Sequence, residues 1–383
     1  MKPPNPEPTA DVVEALRRRR LQTYADRGTR GMYASDASLY RIPPTAVVRP
    51  RDVEEVEAAL QVARECGVPI TARGAGTSVA GNAIGAGIVL DFSRHLNRVI
   101  ALDPQAGTAV VEPGAVHATL AAAAAPYGLR FGPDPSTHTR CTVGGMIGNN
   151  ACGARSLAYG RTIDNVVGLQ FLTAAGERVE TGSHQGVGWV RGGESLLPAV
   201  RAAVAPHLAV ARTELGRFPR QVSGYAAQHL LPERFDLTRA LVGSEGTLAI
   251  LTQATVRLVT TPVHRVVVVL GFDDIVSAGE AAPAVLAHQP TACEGFDSRL
   301  VDVLRGRRGQ SRVPTLPAGG AWLFVEIAGH DSHEVVARAR ALAAQGIGRT
   351  TAVVTHEAEQ AALWRIRGDG AGVAGRSPRG APP

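Results

Sequence analysis

The sequence of 383 residues holds a single lysine, Lys2, so its formal charge of +6 rests on arginine. Apart from Arg17, Arg18, Arg19 and Arg20 the arginines are scattered, and aromatic residues make up only 4%. A nucleic-acid surface gathers basic side chains into a patch interleaved with aromatics, and this distribution argues against one. Cysteine is scarce too: Cys66, Cys141, Cys152 and Cys293 have no CxxC spacing, which excludes an encoded zinc or iron–sulfur ligand set and suits a reducing compartment. No apolar run approaches the ~20 residues of a membrane-spanning helix. The longest lies around 266–271, and the N-terminus lacks the apolar centre of a signal peptide. These absences lead to an expected cytoplasmic location, with any membrane contact peripheral, at the inner face.

With 45% hydrophobic residues and 19% charged, the chain reads as globular, with length for two domains. A helical pattern over 11–27 forms an N-terminal extension, assigned to 1–40. A strand over 44–50, a helix capped by Asp52 and Glu55, and a second strand over 68–72 then make a βαβ unit. Short strands are expected at 87–91, 98–102 and 109–112, a helix at 115–127, and strands at 166–173 and 247–258. From Val263 the pattern restarts, with strands at 266–272, 292–296 and 321–328 and helices at 276–288, 334–345 and 357–367. That second run reads as a separate substrate domain over 263–367, followed by an aperiodic tail, 368–383, so the domain stops before it closes.

Three loops carry candidate chemistry. The first, Arg73-Gly-Ala-Gly-Thr-Ser-Val-Ala-Gly81, follows a strand directly. Its glycines let successive N–H groups converge on an anion, and Thr77 and Ser78 add hydroxyls. The dinucleotide fingerprint G-x-G-x-x-G fails at Val79, so an ordinary glycine turn stays open as the competing reading. The second begins at Pro133-Asp-Pro-Ser-Thr137 and continues as a glycine-rich loop over 144–160, with five glycines in seventeen residues. So much backbone freedom is expensive to order, and wrapping a flat polar ligand explains it better than a simple turn. Asn149, Asn150 and Thr142 supply donors and acceptors, whereas Cys152 reads as a packing residue without a partner base. The third, Val242-Gly-Ser-Glu-Gly-Thr-Leu-Ala-Ile250, is either a hairpin turn or a ligand contact.

Together these loops resemble the PCMH-type FAD-binding domain of the vanillyl-alcohol oxidase superfamily, in the branch of D-lactate dehydrogenases and glycolate oxidase flavin subunits. The resemblance runs in one order from Pro44 to Leu258. It implies an α+β fold: a two-subdomain FAD-binding domain over 41–260 followed by an incomplete ferredoxin-like α/β cap. It further implies that Arg73, Gly74, Ala75, Gly76, Thr77 and Ser78 hold the FAD pyrophosphate, and that Pro133, Asp134, Thr142, Gly145, Asn149, Ala151, Gly153 and Tyr159 line the flavin. Residues 163–166, with Val166, and 245–250, with Glu245, Gly246 and Ile250, would approach the adenosine half. Members with tethered flavin often carry histidine at the place of Thr77, so FAD is expected to bind non-covalently.

Trp364-Arg-Ile-Arg367 resembles the family's tryptophan and arginine helix, in which the last arginine pairs with a substrate carboxylate. A solvated surface arginine is the alternative for Arg367, and Gly368 replaces the acid that usually follows. The family's later cap segment would lie beyond Pro383, so the resemblance leads to the expectation of a C-terminally truncated chain. His138 is a candidate proton acceptor beside the flavin loop. His330 and His333 could approach a metal but lack a third ligand, and no metal site is assigned. The resulting expectation is an FAD-linked oxidoreductase passing hydride from a 2-hydroxy acid to flavin N5, and then electrons to a quinone, cytochrome or iron–sulfur partner protein. The alternatives are an FAD-binding module without turnover and an NADPH-dependent sugar-nucleotide reductase.

Overall fold

The computed structural model describes residues 8–184, 187–218, 220–308 and 313–370. They form two compact units. Of the described residues, the first takes in those within 8–131, 138–151 and 161–259, and the second those within 132–137, 152–160 and 260–370. Two short segments from within the 41–260 stretch, 132–137 and 152–160, group with the second unit.

In the first unit, helix α1 (Pro8–Arg18), strand β1 (Thr23–Tyr24) and helix α2 (Arg27–Tyr33) precede β2 (Ala46–Val48), α3 (Val53–Cys66), β3 (Ile70–Arg73) and β4 (Ile88–Asp91). The Asp52 side chain accepts from Glu55 N at 2.8 Å and caps α3. Glu55 reaches back one residue further than a capping box requires, to Arg51 N at 2.9 Å. Gly67, with φ of 63°, ends the helix in the left-handed conformation that glycine adopts without strain. The chain returns so that β2 and β3 lie parallel on either side of β4, as the βαβ reading requires.

A second sheet of the same unit is largely antiparallel. It contains β5 (Val99–Asp103), β6 (Thr108–Val111), β7 (Leu129–Phe131), β8 (Val166–Leu172), β9 (Arg178–His184), β10 (Val187–Gly192) and β11 (Ile250–Thr260), in the order β10-β9-β8-β11-β6-β5 with β7 on β11. Helix α4 (His117–Ala124) packs its Leu120 and Ala124 into the core beside Val111 and Phe131. The region expected as one loop is partly helical: α5 (Val143–Gly148) and α6 (Ser156–Tyr159) interrupt it, because Thr142 can cap α5 by accepting from Gly145 N at 3.2 Å. The β9–β10 hairpin and helices α7 (Leu196–Val204), α8 (Leu208–Thr213) and α9 (Leu237–Leu241) are absent from the sequence reading.

Near α9, burial first and then the positive field of Arg239 and Arg234 push the His229 imidazole down to about 4, against the opposing pull of Asp236 and Asp164. An unfolded histidine titrates near 6.5, so between those values the unfolded chain holds the extra proton and stability falls as pH drops. The thermal midpoint of the first unit should therefore decline from pH 6.5 to 4. His229→Gln should flatten part of that slope; an unchanged slope would remove His229 from the explanation.

The second unit adds β12 (His264–Phe272), α10 (Ile275–Leu286), β13 (Ala292–Asp297), α11 (Ser298–Arg308), β14 (Ala321–Gly329), α12 (Ser332–Ala344), β15 (Thr350–Val354) and α13 (Glu357–Gly370). The sheet order is β13-β14-β12-β15, all antiparallel, which is the order of a ferredoxin-like βαββαβ unit. The sequence reading lacks α11 and β15; β15 alternates half-buried and exposed residues and carries little apolar signal. Helices α10 and α12 cover one face through Ala278, Val285, Val335, Ala339 and Leu342, while α11 and α13 cover the other through Val301, Leu304, Leu363 and Ile366. Burial on both faces explains why 266–270 is uninterruptedly apolar.

Candidate cofactor site

In the first unit the three loops converge on α5. A Cβ placed on Gly74 would fall 2.1 Å from Thr142 Oγ1, so the first loop touches the second where only glycine fits. Gly243 N donates to Ile147 O at 2.9 Å and Glu245 N to Gly148 O at 2.8 Å, which seats the third loop on the end of the same helix. Glu245 holds a φ of 55°, a strained conformation for a side-chain-bearing residue, and Gly246 follows at 71°.

The backbone of the first loop is shaped for an anion. Among the described residues, none of the N–H groups of Gly74, Ala75, Gly76, Thr77 or Ser78 donates to a protein acceptor. Gly76, with φ of 66°, turns the chain there, and a Cβ would meet Arg73 Nη2 at 2.5 Å. Half-exposed donors in such a run are what a phosphate group satisfies. The Arg73 guanidinium donates to the carbonyls of Tyr33 (3.2 Å), Ala83 (3.0 Å) and Ser35 (3.0 Å), and so ties the loop to the protein. Ser78 is also engaged, its Oγ donating to Asn82 Oδ1 at 2.9 Å.

Around α5, Thr142 is buried while Gly145 and Asn149 are exposed at its two ends. Asn150, not Asn149, is the structural amide: buried at a φ of 49°, it accepts Ile163 N on Oδ1 at 3.0 Å. The Ala151 carbonyl accepts from Thr162 N (3.0 Å) and Oγ1 (2.7 Å). Val166 and Ile250, both buried, sit at opposite ends of the β8–β11 ladder, where Val166 pairs with Val256 and Ile250 with Leu172. At ~3.3 Å per strand residue the two stand well apart along the ladder. His138 is exposed, its ring 6.0 Å from and edge-on to that of His117.

The second unit holds Pro133, Asp134, Gly153, Tyr159 and Arg367. Pro133 and Asp134 are buried, and a Cβ on Gly153 would lie 2.2 Å from Asp134 O, so that pair also requires glycine. Their anchor is a residue the sequence reading missed. Arg155 donates to Glu326 on β14 through Nε (2.9 Å) and Nη2 (2.6 Å), and to Asp134 through Nη1 (2.8 Å). Its guanidinium also lies 5.4 Å above the Trp364 ring. Burial alone would lower this guanidinium, but Glu326 and Asp134 outweigh it and hold the charge. Arg367 donates from Nε to Glu294 (2.9 Å) and from Nη1 to the Asp134 carbonyl (2.9 Å), so the substrate-binding candidate is already held in this network. A charged residue inside a glycine-rich segment was the available signal for Arg155. Asp331 caps α12 beside His333, and no group of three or more His, Cys, Asp or Glu able to hold a metal occurs among the described residues.

Comparison with known proteins gives the class. Residues 44–182 match the FAD binding domain family and residues 261–380 the FAD linked oxidases, C-terminal domain. The chain thus carries an FAD binding domain and the C-terminal domain of FAD linked oxidases, with a PCMH-type FAD-binding fold and FAD as its cofactor. It is 33% identical to the D-2-hydroxyglutarate dehydrogenase of Escherichia coli (strain K12), covering 74% of this chain and 29% of that protein. It is 32% identical to the glycolate oxidase subunit GlcD of Bacillus subtilis (strain 168), covering 71% of this chain and 50% of the relative. The chain therefore spans from 29% to 50% of these relatives' lengths. A solved alkyldihydroxyacetonephosphate synthase shares the fold with a TM-score of 0.65 at 18% identity, over 97% of this chain and 64% of that one. No helix among the described residues is long and apolar enough to cross a membrane.

Proposed function

We propose that the chain acts in the FAD-dependent oxidation of a small 2-hydroxy acid, of the kind named for its relatives: D-2-hydroxyglutarate, glycolate or a similar compound such as D-lactate. The observation that carries this reading is the run of unpaired N–H groups over 74–78 beside α5, which would hold the pyrophosphate of a non-covalently bound FAD. Bound FAD would supply the hydride acceptor, leaving the protein to bind, orient and handle protons. In the first unit Thr142, Gly145, Asn149 and Ala151 are the proposed flavin residues. The stretch 243–250 starts at α5 and ends at the far end of the β8–β11 ladder, which suits an extended dinucleotide better than contact with adenosine alone.

Arg367 is the proposed carboxylate ligand, since a guanidinium matches a carboxylate with two parallel donors. To serve, it would exchange its bond to Glu294 for the substrate. His138 is the proposed proton acceptor, and its exposure leaves it accessible. Electrons would pass on to a quinone, cytochrome or iron–sulfur partner.

A second reading, an FAD-binding module without turnover of its own, is favoured by the occupation of Arg367 by Glu294 and Asp134. One experiment separates them. The purified chain should be yellow, with FAD released by acid, and D-2-hydroxyglutarate, glycolate or D-lactate should bleach an artificial dye acceptor. Bound FAD with no bleaching selects the module reading; a colourless protein that takes up no added FAD refutes both.

A further inference from the structure

A second concavity in the first unit lies away from the cofactor loops. Its volume of about 440 Å³ is lined by Arg161, Arg212, Arg217, Arg234 and Arg239, and by no aspartate or glutamate. None of residues 73–78 or 142–151 contributes to it. The carboxylates that hold these arginines stand outside the lining. Asp164 takes both Arg161 (3.3 Å) and Arg239 (3.0 Å), Glu233 takes Arg212 (2.7 Å) and Glu214 takes Arg217 (2.7 Å). Arg234 has no hydrogen bond or ion pair through its side chain among the described residues. Five guanidinium groups against three carboxylates leave an excess of two positive charges. Asp236, the cap of α9, also stands outside the lining, and its carboxylate offsets part of this excess.

The size falls within the ~300–1,000 Å³ of small-molecule sites. Guanidinium forks recognise planar carboxylate and phosphate oxygens, and the low dielectric of a concave wall strengthens that attraction. Gln228 and the uncharged His229, also in the lining, add hydrogen-bonding groups without opposing charge.

We propose that this pocket binds a small polyanion bearing two or more carboxylate or phosphate groups, at a site separate from that of FAD. Occupancy would be felt at the turn Thr162–Asn165, because Arg161 caps that turn and Thr162 bonds the Ala151 carbonyl.

The test is calorimetric titration of the full chain with FAD at saturation, using citrate in one arm, inorganic pyrophosphate in another and acetate as a monoanion control. Saturable one-to-one binding of citrate or pyrophosphate, with acetate far weaker, is expected, and the arm that binds identifies a carboxylate or a phosphate ligand. Arg234→Gln, which breaks no ion pair, should weaken binding roughly tenfold to a hundredfold with an unchanged thermal midpoint. Arg217→Gln should weaken it in the same direction, and Arg17→Gln on α1 should not. Absence of heat in both arms, or equal loss in Arg17→Gln, would overturn the site. Because the readout needs no turnover, that failure is distinct from failure of the proposed oxidation.

Discussion

Gly74→Ala should lower the affinity for FAD by roughly tenfold to a hundredfold, the effect of overpacking that costs about 1–3 kcal/mol. The added Cβ would fall 3.1 Å from Thr142 Cβ and 2.1 Å from Thr142 Oγ1, the latter closer than real contacts come, so either the first loop or the start of α5 must move. Both are parts of the proposed cofactor cradle. Thr142 cannot turn away freely, because it is buried and its Oγ1 caps Gly145 N. The loop cannot slide either, because Arg73 fastens its base to three carbonyls. Thr142→Ala removes the closer of the two atoms, and combined with Gly74→Ala it should restore part of the affinity even though each single change lowers it. Fluorescence titration with FAD measures all three variants. Wild-type affinity in Gly74→Ala would sever the loop from the cofactor, and additive losses in the double variant would deny that the contact is the cause.

The sequence conveys the first unit through its glycines and its strand–helix–strand period, and the second through the apolar run 266–271. Both signals are local: a glycine after a strand reports a backbone demand, and an alternating or continuous apolar pattern reports a buried face. What it does not convey depends on distant partners. Nothing in the loop around Arg73 says that the carbonyls of Tyr33, Ser35 and Ala83 arrive to meet its guanidinium. Val166 and Ile250 look like neighbours of one ligand until the β8–β11 register sets them at opposite ends. Strand β10 and helices α7 and α8 are missed because their residues are largely exposed and carry weak patterning, and β9 because Val179 is its one aliphatic side chain. Arg155 is hidden for another reason. Its significance lies in Glu326, 171 positions away, and β14 reads as a plain apolar strand in which one glutamate is easily passed over.

That glutamate supports the second prediction. Trp322, Phe324 and Glu326 share one face of β14, the face packed by α11 and α13, and Glu326 is only 1% exposed. A carboxylate in such surroundings persists only with a charged, hydrogen-bonded partner, which the two donors of Arg155 provide. Arg155→Met should therefore destabilise the second unit by about 3–5 kcal/mol, since it strands Glu326 and removes a partner from Asp134 together. Glu326→Leu should cost less, because Asp134 remains to hold the guanidinium. Replacing both should cost less than the sum, and less than Arg155→Met alone, because an apolar pair of similar volume suits a face already lined by Phe324 and Leu363. Denaturant unfolding followed by tryptophan fluorescence reads this directly, with Trp322 and Trp364 both in the unit concerned and Trp364 lying under Arg155. A loss below about 1 kcal/mol in Arg155→Met, the range of exposed pairs, would mean that water reaches the cluster and that Asp134 is not held by it. A double variant as unstable as the sum would mean that the two residues act through separate contacts.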